Sequence, residues 1–141
     1  MRDLLGLGFV VTLCVAPPGV VMAENAEQQT PSQIATKIAG TWETSQGLLM
    51  LSARRDGLTG DLIADGGRVF GKVDDSGTFS GVWVKDSGSE TCSTKVDGSP
   101  HWGKFKLGLS EDGQALSGVL ALCDAELTPQ STRWTGTRIP D

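Results

Sequence analysis

Five stretches of this chain repeat one order of positions: apolar, small or variable, glycine, any residue, then usually apolar again. They are Leu58–Leu62, Val69–Val73, Phe79–Trp83, Leu116–Leu120 and Trp134–Arg138. Residues two apart on a strand point to one face. Gly60, Gly71, Gly81, Gly118 and Gly136 therefore share the face of their apolar neighbours, while Thr59, Asp61, Lys72, Ser80, Ser117, Thr135 and Thr137 take the other. Helical spacing would scatter both sets around a cylinder, so the pattern reads as strand. Asp56-Gly57, Asp65-Gly66-Gly67, Asp74-Asp75-Ser76-Gly77 and Glu111-Asp112-Gly113-Gln114 fall between the apolar runs, where hairpin turns require positive φ. Strands are expected at 40–44, 48–54, 58–64, 68–73, 78–85, 103–110, 115–123 and 132–138. The fold class is all-β, an eight-stranded antiparallel up-and-down meander. With one apolar face, such a sheet loses its edges by closing into a barrel, full or flattened.

The first half of the meander echoes in the second. Gly47-x-Leu49-x-Leu51 followed by Asp56-Gly57-Leu58-x-Gly60-x-Leu62 matches Gly103-x-Phe105-x-Leu107 followed by Asp112-Gly113 and Leu116-x-Gly118-x-Leu120. The barrel thus reads as two similar four-strand units, about 40–73 and 78–138. A mid-strand glycine belongs where a strand bends sharply or another group comes close to the backbone. Inward glycines either leave a pocket or let Trp and Phe from facing strands fold over bare backbone. An eight-stranded barrel has room for side chains or one small ligand, and Trp42, Trp83, Phe105 and Trp134 all fall on inward phases.

The chain ends set the compartment. Arg2, an apolar run over 4–15 and short residues up to Ala23 read as a signal peptide, residues 1–23. Pro17, Pro18 and Gly19 interrupt a run already shorter than the roughly 20 residues a membrane span needs. Leu13 before Cys14 is the wrong residue for lipid attachment. Residues 24–39 form a flexible lead-in, polar over 24–33, and a short helix in which Ile34 and Ile38 lie four apart; 40–141 is a single β-barrel domain. Cys92 and Cys123, the cysteines outside the leader, are expected to form one disulfide in a periplasmic or secreted protein. A net charge of −5 with scattered Lys and Arg argues against nucleic acid and against membrane insertion.

Alternate loops of a meander share an end. One end carries the tight turns near 55–57, 74–77 and 111–114; the other carries a long connection at 86–102 and another at 124–131. Cys92 and Cys123 both fall at the second end, so their bond pins it. Scaffold proteins keep function on such loops. Trp102 and His101, rimmed by Asp86, Glu90 and Asp124, are the candidate ligand-binding residues, with Trp102 read as an exposed loop anchor. His101 is the sole His, so no His cluster can hold a metal. Asp74, Asp75 and Asp86 form no calcium loop, and no nucleophile elbow or phosphate loop occurs. No catalytic residue, metal or cofactor is expected.

A short helical lead-in, Gly40-Thr41-Trp42 on the first strand and a disulfide-bearing meander ending in Arg138 resemble the calycin group of barrels, which includes lipocalins and avidins. The resemblance implies that Trp42 packs against Arg138. With no Tyr and no biotin-ring set, biotin binding does not carry over. The chain is also similar to the small barrel inhibitors of secreted bacterial metalloproteases, whose amino-terminal segment is the inhibitory arm; this implies a role for residues 24–33. Its glycine repeat looks like that of small exported bacterial proteins with no assigned activity. The expected function is a non-enzymatic exported binding module that takes a small-molecule or protein partner at the disulfide-pinned end. A protease inhibitor acting through the amino-terminal arm and an accessory cell-envelope protein are the alternatives.

Overall fold

The computed structural model describes residues 29–55, 57–64 and 66–140. The expected leader, Cys14 and residues 24–28 lie outside the described residues. Helix α1 (Pro31–Ile38) precedes strands β1 (Gly40–Thr44), β2 (Gly47–Arg54), β3 (Gly57–Leu62), β4 (Gly67–Val73), β5 (Thr78–Lys85), β6 (His101–Leu109), β7 (Ala115–Leu122) and β8 (Thr132–Arg138). Each strand pairs antiparallel with the next, and β1 pairs with β8, so the meander is a closed barrel. The closing seam holds three register pairs, Trp42↔Arg138, Glu43↔Thr137 and Thr44↔Gly136. Ser45 extends it, its N–H donating to the Thr135 carbonyl at 2.8 Å.

The five glycines of the repeated pattern face inward, and the register shows why. A Cβ built at Gly118 would overlap the Lys106 carbonyl on β6, and one at Gly60 would overlap the Met50 carbonyl on β2. Neighbouring strands coil so tightly that the backbone of one enters the Cβ position of the other. Bare backbone also makes room for rings. Trp83 pairs with Gly103, Phe105 with Gly81 and Trp134 with Gly118; the Trp83 ring lies 2.5 Å from where a Gly103 Cβ would stand. Phe79, Phe105 and Trp134 then meet edge to face across the interior, at 4.8 and 5.6 Å between centroids. Of the two outcomes expected for inward glycines, aromatic filling is the one that holds over most of the barrel. The hairpins β2–β3 and β6–β7 share a register, Leu51↔Gly60 in one and Leu107↔Gly118 in the other.

Helix α1 closes the end where β1 begins. Thr30 and Gln33 form a capping box, the Thr30 hydroxyl accepting from Gln33 N–H at 3.2 Å and the Gln33 side chain accepting from Thr30 N–H at 2.9 Å. Pro31 supplies a first-turn residue that needs no donor. Ala35 and Ile38 join the barrel core. Trp42 Nε1 donates to the Ile38 carbonyl at 2.8 Å, and the Arg138 guanidinium lies 4.3 Å from the centroid of a Trp42 ring. The contact between these two side chains is therefore present. Arg138 also donates from Nε to Gly113 O and from Nη1 to Ala39 O, both at 3.0 Å, and from Nη2 to Lys37 O.

Two stability measurements check this account. Gly118→Ala should lower the free energy of unfolding by about 1–3 kcal/mol or more, as overpacking does. Gly108→Ala, where a Cβ meets only the Ser117 carbonyl at 3.9 Å, should leave it nearly unchanged. Equal midpoints in urea for both variants would refute the close-approach account. Arg138→Lys should cost about 2–3 kcal/mol, because an ammonium cannot fork to three carbonyls and charged hydrogen bonds of this kind carry that order of energy; a Lys variant melting with wild type would refute the tie.

Candidate functional site

The two ends of the barrel differ in chemistry. At the helix-closed end the carboxylates serve turns. Asp74 accepts from the Ser76 hydroxyl and from the N–H groups of Ser76 and Thr78; Asp112 accepts from the Ser110 hydroxyl and Gln114 N–H. These bonds, the hydroxyl donors first, hold both carboxyls below the usual carboxylate range.

At the opposite end lie the residues around 45–46, 63–64, 86–100 and 123–131. The Cys92–Cys123 disulfide is present, with Cα atoms 5.5 Å apart, and it joins two of these segments. The long connection is shorter than expected. The β5–β6 ladder continues to Val84↔Trp102 and Lys85↔His101, and Pro100, without an N–H, precedes the first paired residue. Trp102 is thus a strand residue on the outward phase, beside Val84, and 8% exposed. The reading of Trp102 as an exposed loop anchor is corrected: the segment 86–100 folds back over the outer wall and buries it.

That fold-back is heavily fastened. Trp102 Nε1 donates to Thr94 O at 2.9 Å. The buried Ser99 hydroxyl donates to Lys85 O at 2.6 Å and accepts from His101 N–H. His101 Nδ1 lies 2.8 Å from Glu90 O. Arg68 on β4 grips Asp97 at 2.6 Å and Asp86 at 3.0 Å; its pKa is raised, first by Asp97 and then by Asp86. Trp102, His101, Asp86 and Glu90 are brought together here as the fastening of a loop to a wall. Asp124 stands apart, 3.2 Å from Lys104 Nζ.

None of those five residues lines the barrel mouth. The mouth is a pocket of about 230 Å³ bounded by Gln46, Leu62, Trp83, Lys85, Leu120, Leu122, Thr132 and Trp134. These are mostly the last inward-phase residues of their strands: Trp83 and Lys85 continue Phe79-x-Gly81, and Leu120 and Leu122 continue Leu116-x-Gly118. Following the inward phase to each strand end would have found them from sequence. Leu122 is 44% exposed, and Ile63, in the turn after β3 at the same end, is 51% exposed. Trp83 Nε1 donates to Ala121 O at 3.2 Å. Trp134 is 1% exposed, and its Nε1 is buried without a hydrogen-bond partner. Lys85 Nζ lies 5.6 Å from the centroid of the Trp83 ring, adding a cation to a lining in which Gln46 and Thr132 are the other polar residues.

Among the described residues, no group of three His, Cys, Asp or Glu side chains could hold a metal, and no helix is long and apolar enough to cross a membrane. Of the arm assigned to protease inhibition, 24–28 lies outside the described residues, and Pro31–Gln33 belongs to α1. No family model matches the chain, and comparison with curated proteins gives no match.

Trp102→Ala should therefore destabilise the protein by about 3–5 kcal/mol, the usual cost of truncating a buried Trp. Trp102→Phe should cost about 1 kcal/mol for the lost bond to Thr94. Calorimetry that finds Trp102→Ala as stable as wild type would restore the exposed-anchor reading.

Proposed function

We propose that the protein is an exported, non-enzymatic binding module of calycin-like design that takes a small, mostly apolar ligand at the open mouth of its barrel. One observation carries this reading. The barrel is closed at one end by α1 and Arg138 and at the other opens onto an apolar pocket. The pocket has the features of a small-molecule site, a concave apolar lining with few polar groups. Its size, about 230 Å³, lies below the roughly 300–1,000 Å³ of drug-sized sites, so the ligand is small or inserts one end only. Export rests on the leader sequence and on a disulfide suited to an oxidising compartment.

The probe 1-anilinonaphthalene-8-sulfonate, apolar with one anionic group, tests the mouth through its own enhanced emission and through quenching of tryptophan emission, with Trp83 and Trp134 lining the site. Wild type should bind it saturably at one site, and Trp102→Phe should bind equally well. Leu122→Asp, which sets a carboxylate on the rim at an exposed position, should weaken binding about tenfold or more. Absence of saturable binding, or binding indifferent to Leu122→Asp and lost in Trp102→Phe, would refute the proposal.

A further inference from the structure

The outer wall over β2–β4 carries a concavity that neither the core nor the mouth uses. It measures about 700 Å³ and is lined by Arg54, Arg55, Gly57, Thr59, Phe70 and Lys72, among others. A second concavity of about 460 Å³ continues it and shares Arg54, Thr59 and Phe70. The register explains the shape. Directly paired residues of an antiparallel sheet face the same side, and one cross-strand row reads Arg54↔Gly57↔Lys72. The middle position has no side chain, so two cations stand two strand spacings apart, about 10 Å, across a notch. The notch is built in, since a Cβ at Gly57 would lie 2.5 Å from the Gly71 carbonyl. The adjacent row is Ser52↔Thr59↔Phe70, two hydroxyls and a half-buried aromatic ring.

The cations of this groove differ from Arg68 and Lys104 on the same wall. Arg68 is held by Asp86 and Asp97, and Lys104 by Asp124. Among the described residues, no carboxylate pairs with Arg54, Arg55 or Lys72. Arg54 Nε reaches only the Thr59 hydroxyl, at 3.5 Å. One acid, Asp61, lines the second concavity, and Asp56 lies outside the described residues. A chain of net charge −5 thus leaves three cations to solvent around one groove.

We infer that this groove binds an acidic polysaccharide, with anionic groups on Arg54 and Lys72, a sugar ring against Phe70 and sugar hydroxyls on Ser52 and Thr59. An acidic peptide fits less well. Extended peptides bind sheets through an unpaired strand edge, and β3 is paired on both sides in a closed barrel. Cations, hydroxyls and an aromatic face need no such edge. The inference is independent of the mouth, which lies among other residues.

Calorimetric titration of the full-length protein with galacturonate hexamer, and with a heparin hexasaccharide, tests it at low salt. At least one should bind saturably, and binding should fade as salt screens exposed charges. Arg54→Gln and Lys72→Gln should each weaken that binding about two- to fivefold, the range of exposed ion pairs, and Phe70→Leu should weaken it while circular dichroism shows the fold intact. Leu122→Asp should leave it unchanged. The inference is overturned if neither acidic glycan binds, if binding ignores Arg54→Gln and Lys72→Gln, or if maltohexaose binds as well. Hexaglutamate binding as tightly as the glycans would overturn it in favour of an acidic peptide.

Discussion

The carbonyl of Lys106 occupies the space a Cβ of Gly118 would need, and the rest of the barrel follows from that approach. Eight short strands closing on themselves must coil hard, and coiling brings each strand's carbonyls onto the inner face of its neighbour. Only glycine accepts this, at a cost in backbone entropy. The space it vacates is taken by a ring from the paired strand, so the residue that permits curvature also seats the core. Phe105 sits opposite Gly81 and Trp134 opposite Gly118. A large aromatic contributes more buried apolar area than the lost side chain would have, which offsets the weakness of glycine as a strand residue. Curvature and packing are one feature of this sequence, which is why the glycines recur at fixed phase with the aromatics.

Closure of one end gives the molecule its polarity. Arg138 reaches from the last strand to the end of α1 and to the turn between β6 and β7, and stacks on Trp42 from the first strand. The helix before the first strand and the last strand are joined by one planar cation that can satisfy several carbonyls together. With that end sealed, the interior meets solvent at the other, and there the inward phase runs out into Trp83, Lys85, Leu120 and Leu122. The apolar character of the mouth is the core itself, cut open where the strands stop.

Much of this was legible in the sequence because period-two patterning carries the same information as the register. Strand existence, the inward facing of Gly60 and Gly118, the pairing of Cys92 with Cys123 and the Trp42–Arg138 contact all depend on phase, position or a three-residue motif. What was not legible is where a strand ends when no turn residue marks it. The expected strand starts at Gly103, which leaves His101 and Trp102 in the 86–102 connection. The ladder runs on because Val84 and Lys85 offer partners, and that depends on the opposite strand. The two-residue shift turned Trp102 from a recognition anchor into a buried clasp.

The disulfide then acquires a different meaning. A bond between Cys92 and the end of β7 could hold a long loop over the barrel opening as a lid. Instead, Ser99, Thr94, Asp97 and Asp86 fasten the segment 86–100 onto the outward side of β4, β5 and β6, and the bond to Cys123 ties its middle to the same wall. Residues on the outward phase cannot reach the interior, so the loop clears the mouth. A mouth lined by strand ends is fixed before any ligand arrives, because its side chains stand on the hydrogen-bonded ladder. Binding there would order little backbone, and the entropy that a mobile loop would lose on binding has already been spent in folding. On the proposed reading, the device at this end is a loop held out of the way, and the contacts that hold it are stability determinants rather than recognition determinants.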